Sequence, residues 1–223
     1  MSANGHTSET GITRQARKQR TRQALLDAAL ELLEGQSFSS LSLRQVTRTA
    51  GIVPTAFYRH FENMDELGLA LIDESFRTLR AMLRAARTDA RTDGHMIHNS
   101  VEILVGYVHA HDTHFRFIAR ERFGGVVALR QAIGLEIRLF ASELASDLAR
   151  FPYLDRWSTE DLQLLAGLMV NAMVSTAEAI LDAPPKHPAA EAEIVTNAER
   201  QLRMIMLAVP QWHSSGARVL RPL

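Results

Sequence analysis

The sequence contains no cysteine, which excludes disulfide bonds, thiolate metal sites and a cysteine nucleophile. It also shows no apolar run approaching the roughly 18 residues that a membrane helix needs, since charged residues or histidines interrupt each stretch. The first 20 residues are polar and end in basic residues, without an apolar core. We therefore expect a cytoplasmic protein with no secretory signal and no membrane partner.

Catalytic signatures are missing as well. The sequence has no nucleophile elbow, no Walker loop, no dinucleotide fingerprint and no HExxH motif. We therefore expect neither an enzyme nor a cofactor. With 223 residues, 46% of them hydrophobic and 22% charged, the composition is that of an ordinary globular chain of one large or two small domains.

Net charge is absent too, but the zero total hides an asymmetry. Residues 1–60 carry eight Lys and Arg against four Asp and Glu, so the rest of the chain is acidic by the same margin. Five basic residues lie close together with no acid among them: Arg14, Arg17, Lys18, Arg20 and Arg22. This basic segment on an acidic body favours contact with a polyanion such as DNA. A solvated basic tail is the alternative.

Alternation of period two, the pattern of β-strands, is not sustained anywhere in the sequence. Apolar residues instead recur at spacings of three and four, first at Leu25, Leu26, Ala29, Leu32 and Leu33. Comparable patterns, separated by glycine or proline, predict helices over 14–34, 42–50, 54–61, 65–91, 95–110, 113–122, 125–150, 159–182 and 189–208. We therefore predict an all-α fold of about nine helices.

Residues 41–67 (LSLRQVTRTAGIVPTAFYRHFENMDEL) have the pattern of a helix-turn-helix. Two short helices flank Gly51, where the turn calls for a positive φ that glycine adopts without strain. Five apolar residues would lock these helices and the first helix into one core: Val46, Ala50, Ile52, Phe57 and Phe61. A generic helical hairpin is the alternative, because glycine and proline at this spacing are weak evidence by themselves.

The residues left facing outward on the third helix are short or form hydrogen bonds, as a helix in a major groove requires. We expect Tyr58 and His60 to reach phosphate oxygens, and Thr55 and Ala56 to approach base edges and the thymine methyl. The full set of candidate DNA-binding residues is Arg14, Arg17, Lys18, Arg20, Arg22, Ser42, Arg44, Gln45, Pro54, Thr55, Ala56, Tyr58, Arg59 and His60. Phosphate contacts would supply most of the affinity and base contacts most of the specificity.

As a whole, residues 15–70 resemble the DNA-binding domain of the TetR (tetracycline repressor) family of bacterial regulators. The resemblance rests on the segments QVTRTAG at 45–51, FYRHF at 57–61 and DEL at 65–67. The stretches 50–61, 65–69, 73–75, 115–122 and 136–145 are similar to the subgroup that represses unsaturated fatty-acid synthesis (FabR and DesT types). Met64 departs from the wider family, in which a lysine often precedes the acidic pair.

The resemblance implies a homodimeric repressor on double-stranded, palindromic operator DNA, with an apolar effector such as a long-chain acyl-CoA or fatty acid. It also implies a domain order. A flexible arm (1–13) precedes a DNA-binding domain (14–62), a ligand-binding and dimerisation domain (63–210) and a tail (211–223). Residues 161–182 and 189–208 have helical patterns that could pack closely, and the resemblance implies that they form half of a four-helix dimer interface. A bundle inside one chain is the alternative.

Residues 95–182 are rich in apolar side chains of adaptable shape, methionine and phenylalanine among them. Such a helical bundle can wrap an acyl chain, although a dry core is the alternative from the residues alone. Together with the resemblance, this pattern indicates the candidate ligand-binding residues Leu104, Val105, Val108, Phe115, Phe117, Ile118, Arg120, Phe123, Ile133, Phe140, Met169 and Met173.

Two further clusters invite hypotheses. One helix face carries Arg77, Arg80, Arg84, Arg87 and Arg91. This face is either solvated or a landing site for the phosphates of CoA, with Arg116, Arg120 and Arg122 as rival candidates. Five histidines between His95 and His114 invite a metal hypothesis, but no acid at helical spacing completes a ligand set, so we expect no metal.

Overall fold

The computed structural model describes residues 6–89, 96–184 and 187–214, with side chains from residue 14 onward except those of 78 and 81–89. Within these ranges the chain forms nine α-helices and no strand, which confirms the all-α prediction. The helices are α1 (His6–Leu32), α2 (Leu43–Thr49), α3 (Pro54–Phe57), α4 (Met64–Asp89), α5 (Met96–Ala110), α6 (Asp112–Glu121), α7 (Val127–Leu148), α8 (Thr159–Asp182) and α9 (Pro188–Ala208).

Most helices begin and end close to the predicted positions. A side-chain cap fixes the first residue of α8. Ser158 precedes α8, and its hydroxyl accepts a hydrogen bond of 3.1 Å from the amide of Asp161. The start of α1 differs, because the helix begins at His6 and not at Arg14. The helix therefore enters the segment predicted as an arm. Residues 1–5 of that arm, Arg91, His95 and the tail from residue 215 lie outside the described ranges.

The chain divides into two compact units, and the division does not follow the predicted boundary between residues 62 and 63. The first, here called the N-terminal unit, comprises the chain up to Ser75 together with Arg116–Ala132. Its core joins α1 to the helix-turn-helix through the buried side chains of Leu25, Leu26, Ala29, Val46, Phe57, Phe61, Leu67 and Leu71. A Cβ added at Gly68 of α4 would lie 2.7 Å from the Phe38 ring, so this close packing requires glycine.

The second, here called the C-terminal unit, comprises Phe76–Phe115 and the chain from Ile133 onward. In it α8 packs on α9 and α5, and α5 packs on α9. An apolar cluster joins α7, α8 and the turn between them: Ala145, Leu148, Leu154, Leu162, Leu165 and Ala166. Ser214 fastens the end of the described chain to α8, because its hydroxyl donates to the carboxylate of Asp161 at 2.5 Å.

By length and composition, α8 is the one helix of the described residues that is long and apolar enough to cross a membrane. This finding corrects the expectation that no such stretch exists, because the apolar window of α8 holds very few charged residues. Only 33% of that window is buried within the chain. Leu164 and Leu168 are half exposed on its outer side. An uncovered apolar face on a bundle helix meets the same criteria as a membrane segment.

Candidate nucleic-acid interface

The helices α2 and α3 form the predicted helix-turn-helix around Gly51. Gly51 has a φ of 67°, the left-handed conformation that glycine adopts readily. The amide of Ile52 closes the turn by donating to the carbonyl of Thr47 at 2.8 Å. Val46 and Phe57 are 0% exposed, so the inner side of each helix is anchored in the core and the opposite side faces outward.

Two predicted DNA-binding residues, Ser42 and Gln45, are engaged with each other in a capping box at the start of α2. The Ser42 hydroxyl accepts a hydrogen bond from the backbone amide of Gln45. The side-chain Oε1 of Gln45 accepts from the Ser42 hydroxyl at 2.7 Å and from the Ser42 backbone amide at 2.9 Å. These oxygens therefore hold the first turn of α2. The neighbouring Arg44 is exposed.

The outward surface of the motif extends beyond α3 itself. The helix covers only Pro54–Phe57, and residues 58–60 form the turn that follows it. Pro54, Thr55, Tyr58 and Arg59 are exposed, whereas Ala56 and His60 are half-buried. Val53 belongs to the same surface, with 65% of its side chain exposed at the N-cap of α3. The sequence prediction missed Val53, although an apolar residue directly before Pro54 was a usable signal.

A cleft of about 540 Å³ lies between α1 and the segment from Ala56 to His60, and is here called the basic cleft. Its lining consists of Arg14, Gln15, Arg17, Lys18, Thr21, Ala56, Arg59 and His60. None of these described residues is acidic. A concave surface of one charge concentrates counter-ions, so the cleft is suited to bind phosphate groups. The fold thus brings the basic segment of α1 next to the segment from Ala56 to His60.

The other two basic residues of the segment lie differently. Arg20 is exposed but does not line the basic cleft. The guanidinium of Arg22 lies 5.1 Å from the centre of the Phe61 ring, on which it stacks. Arg22 therefore joins the charged surface to the apolar core beneath it.

His60 lines the basic cleft with an unusual environment. Its Nδ1 is buried and has no hydrogen-bond partner among the described residues. Burial, followed by the charges of Lys18, Arg22 and Arg59, lowers the pKa of His60 below 6.5. The imidazole is therefore uncharged at neutral pH.

Four predicted ligand-binding residues lie in the N-terminal unit: Phe117, Ile118, Arg120 and Phe123. Nη1 of Arg120 donates to the carbonyls of Leu33 at 2.8 Å and Gln36 at 2.7 Å. The ring of Phe117 packs 6.5 Å from that of Phe38. The Phe123 side chain is 75% exposed. Arg120 and Phe117 therefore support the segment between α1 and α2. The ligand-binding role of all four residues stays a prediction.

The remaining predicted ligand-binding residues lie in the C-terminal unit and are buried or half-buried: Leu104, Val105, Val108, Phe115, Ile133, Phe140, Met169 and Met173. Phe140 packs on Phe76, with ring centres 5.7 Å apart. Met169 packs against the cluster that joins α7 and α8. This unit therefore contains many buried or half-buried apolar side chains along α5, α7 and α8.

Arg80 of the predicted arginine face is held by neighbours inside the C-terminal unit. It forms ion pairs with Glu136 and, at 3.4 Å, with Glu143. Its guanidinium also lies 5.4 Å from the centre of the Phe140 ring. Arg80 is therefore committed to protein groups and not presented to a phosphate. The side chains of 84 and 87, like Arg91, lie outside the described part of the chain.

Histidines of α5 join that helix to α9. His98 Nδ1 lies 2.6 Å from Glu199, and His109 Nε2 lies 2.6 Å from Glu191. In the described parts of the chain, no group of three or more His, Asp and Glu residues is arranged to hold a metal ion. His98 and His109 therefore act as links between helices.

Family models match two parts of the chain. Residues 25–71 match the model described as "Bacterial regulatory proteins, tetR family". Residues 94–207 match the model described as "Tetracyclin repressor-like, C-terminal domain". The first match contains the helix-turn-helix, and the second contains helices α5 to α9 nearly to their end.

Solved structures with the same fold include two proteins named FadR. FadR of Bacillus halodurans, a fatty acid degradation regulator, is 13% identical, with a TM-score of 0.63 over 82% of this chain and 94% of that one. FadR of Bacillus subtilis in complex with stearoyl-CoA is 14% identical, with a TM-score of 0.64 over 86% and 99%. The SmeT–triclosan complex is 18% identical, with a TM-score of 0.62 over 91% and 98%. At these identities the likeness establishes the fold alone.

Proposed function

Because the chain belongs to the tetR family of bacterial regulatory proteins, we propose that it is a repressor of lipid-metabolism genes whose affinity for operator DNA depends on an apolar effector. Family membership makes the chain a DNA-binding transcriptional regulator. The observation that best supports the proposed DNA-binding surface is the basic cleft beside the exposed face of α3. Four basic side chains line this cleft, so a phosphate in it would be surrounded by cations: Arg14, Arg17, Lys18 and Arg59. The exposed residues of α3 lie next to it.

We assign the outward residues two roles according to their position. Tyr58, Arg59 and His60 follow α3, and together with the basic segment they contact phosphates, which supplies affinity without sequence preference. Val53, Pro54 and Thr55 stand at the start of α3 and form an exposed, largely apolar edge. Such an edge is suited to the C5 methyl of thymine in the major groove.

A homodimer is supported by the surface of α8 and α9. Four large apolar side chains are between 50% and 74% exposed there: Leu164, Leu168, Met204 and Leu207. Because α8 packs directly on α9, these side chains form an apolar face that a second copy would bury. A two-fold dimer presents two copies of α3, which suits a palindromic operator whose half-sites lie about one DNA turn apart.

For the effector, we propose a long-chain acyl-CoA or fatty acid that binds in the C-terminal unit. The apolar and methionine side chains packed along α5, α7 and α8 suit an acyl chain. One of the two FadR structures is of a fatty acid degradation regulator, and the other contains stearoyl-CoA. An effector that binds one dimer geometry better than another would shift the population of DNA-competent dimers.

A different apolar effector, in a regulator of an unrelated pathway such as efflux, is the second candidate. Its support is the commitment of Arg80 to Glu136 and Glu143, which removes one cation proposed for the phosphates of CoA. The SmeT structure with bound triclosan shares this fold. A neutral aromatic compound would need no such cation.

The proposal is tested by selecting binding sites from random duplex DNA and measuring affinity for the selected site by gel shift. We expect a palindromic site, and a change of affinity with stearoyl-CoA or stearate but not with CoA alone. Arg59→Ala should weaken binding about tenfold, because it removes a cation from a charged contact, whereas the exposed Arg156→Ala of the C-terminal unit should not. Failure to bind any DNA at low salt would refute the function.

A response to triclosan without a response to acyl compounds would favour the second candidate. Native mass spectrometry of protein purified from its own host adds an independent reading. A retained acyl compound on a dimer would support the lipid effector, and a retained nucleotide cofactor would contradict it.

A further inference from the structure

His60 lines the basic cleft, and its buried Nδ1 leaves Nε2 as the ring nitrogen that a ligand can reach. The cleft lining places Arg14, Arg17 and Lys18 of α1 on one side and Arg59 on the other. Nδ1 is inaccessible and has no partner among the described residues. A ligand in the cleft therefore meets Nε2.

The buried Nδ1 decides between the possible forms of the ring. An imidazolium carries a proton on both nitrogens, and a buried N–H without an acceptor costs more when the group is charged. The neutral form with its proton on Nδ1 also buries a donor without a partner. The neutral form with its proton on Nε2 leaves only a lone pair unused and presents an N–H to the cleft.

The surrounding charges act in the same direction. Burial lowers the pKa of His60 first, and the charges of Lys18 and Arg22 on α1 and of Arg59 in the same turn lower it further. Tyr58, the other titratable neighbour in this turn, is exposed. No carboxylate belongs to the described lining of the cleft, so nothing there favours a positive imidazole.

We propose that His60 recognises a DNA phosphate as a neutral donor through Nε2–H, and that it stays uncharged in the complex. This inference rests on the proposed DNA-binding function and specifies the chemical state of one residue in it. The neighbouring arginines and lysine neutralise the phosphate, and His60 adds a directed hydrogen bond. Binding through His60 then requires no uptake of a proton, and the pH of the cell does not act on this contact.

Glutamine provides the matched substitution, because its side-chain amide is a neutral donor that does not titrate. We expect His60→Ala to weaken binding of the selected duplex by roughly three- to tenfold, the effect of one neutral hydrogen bond. We expect His60→Gln to recover most of that loss. The ratio of wild-type to His60→Gln affinity should be the same at pH about 6 and about 8. The two proteins should also lose affinity equally as the salt concentration rises.

The contrary result is clear. If His60 is charged in the complex, the wild-type affinity should rise toward low pH by up to about tenfold per pH unit for each proton taken up, and the affinity of His60→Gln should not. That result would show that the inference is wrong. Other histidines titrate equally in both proteins, so they cancel in the ratio.

Nitrogen-detected NMR of the wild-type protein tests the same inference without a variant. We expect a proton on Nε2 and none on Nδ1 in the free protein, and the same state after addition of inorganic pyrophosphate or duplex DNA. A proton on Nδ1 in any of these samples would overturn the inference. Because the free protein and the pyrophosphate sample contain no DNA, this result is separate from a failure of the DNA-binding function.

Discussion

The backbone amide of Phe38 donates a hydrogen bond of 2.8 Å to Oε1 of Glu121, a residue that is 1% exposed. The two residues are 83 positions apart in the chain. Gly124 makes room for the second carboxylate oxygen, since a Cβ there would lie 2.3 Å from Oε2. With the two bonds from Arg120, this contact fastens the last turn of α6 to the segment between α1 and α2.

We expect Glu121→Ala to lower the free energy of unfolding by about 1–3 kcal/mol, because the buried amide of Phe38 loses its acceptor. Glu121→Gln keeps an acceptor oxygen of the same shape and should lose less. Urea unfolding followed by circular dichroism measures both. Equal losses in the two variants would show that the hydrogen bond to Phe38 is not the source of the stability.

A substitution at Arg120 tests whether this predicted ligand-binding residue has a structural role instead. Arg120→Ala leaves the carbonyls of Leu33 and Gln36 without their donor, so we expect a loss of about 1.5–3 kcal/mol in unfolding free energy. The affinity of the folded protein for an acyl compound should stay unchanged, because the guanidinium points to the N-terminal unit's own backbone. Isothermal titration with stearoyl-CoA checks this. A large loss of affinity with intact stability would show that Arg120 binds the ligand.

Thymine methyl groups provide a test of the exposed edge at the start of α3. Replacing thymine by deoxyuridine in the selected site should weaken binding about fourfold at the position facing Thr55, since one buried methyl is lost. Thr55→Ser removes the matching methyl from the protein and should make the affinity insensitive to that replacement. If the serine variant still discriminates the two bases, Thr55 does not contact the methyl.

The dimer face of α8 and α9 predicts a change of oligomeric state. Leu168→Arg places a charge in the centre of an apolar interface, so we expect the dimer dissociation constant to rise at least about 100-fold. Sedimentation velocity over a range of concentrations measures the shift. Leu69→Arg is the control, because Leu69 is an exposed leucine of α4, outside this face. A dimer that tolerates Leu168→Arg would place the interface elsewhere.

Acid sensitivity follows from the contact between α5 and α9. The hydrogen bond from His98, and then the charge of Arg203, lower the pKa of Glu199 below 4.5 against the opposing effect of burial. A carboxylate with a lowered pKa stabilises the folded state above its unfolded pKa, and this stabilisation is lost as the pH falls through the lower folded value. Between pH about 5 and about 3, the wild type should therefore lose more stability than Glu199→Gln.

The matched control is Glu193→Gln, which changes an exposed carboxylate on the same helix. Urea unfolding at a series of pH values compares the three proteins. Parallel pH dependence in the wild type and Glu199→Gln would contradict a role for this contact in acid stability.

Local patterns were enough to predict much of the helical architecture. The spacing of Leu25, Leu26 and Ala29 predicted the buried side of α1, and these residues are buried. Gly51 was predicted to need a positive φ, and it has one. Such features depend on neighbours within a few positions, which the sequence displays directly. The early start of α1 shows the limit, because its polar first turns carry no apolar stripe.

The amino-acid sequence by itself therefore determined the helices, the helix-turn-helix and the concentration of positive charge near residues 14–22. Only the tertiary structure decided which of these residues meet. It paired Glu121 with Phe38, committed Arg80 to Glu136, and placed His60 beside Lys18. The physical reason is that hydrogen bonding, burial and charge pairing act through space, so residues far apart in the chain acquire their chemical roles only when packing brings them together.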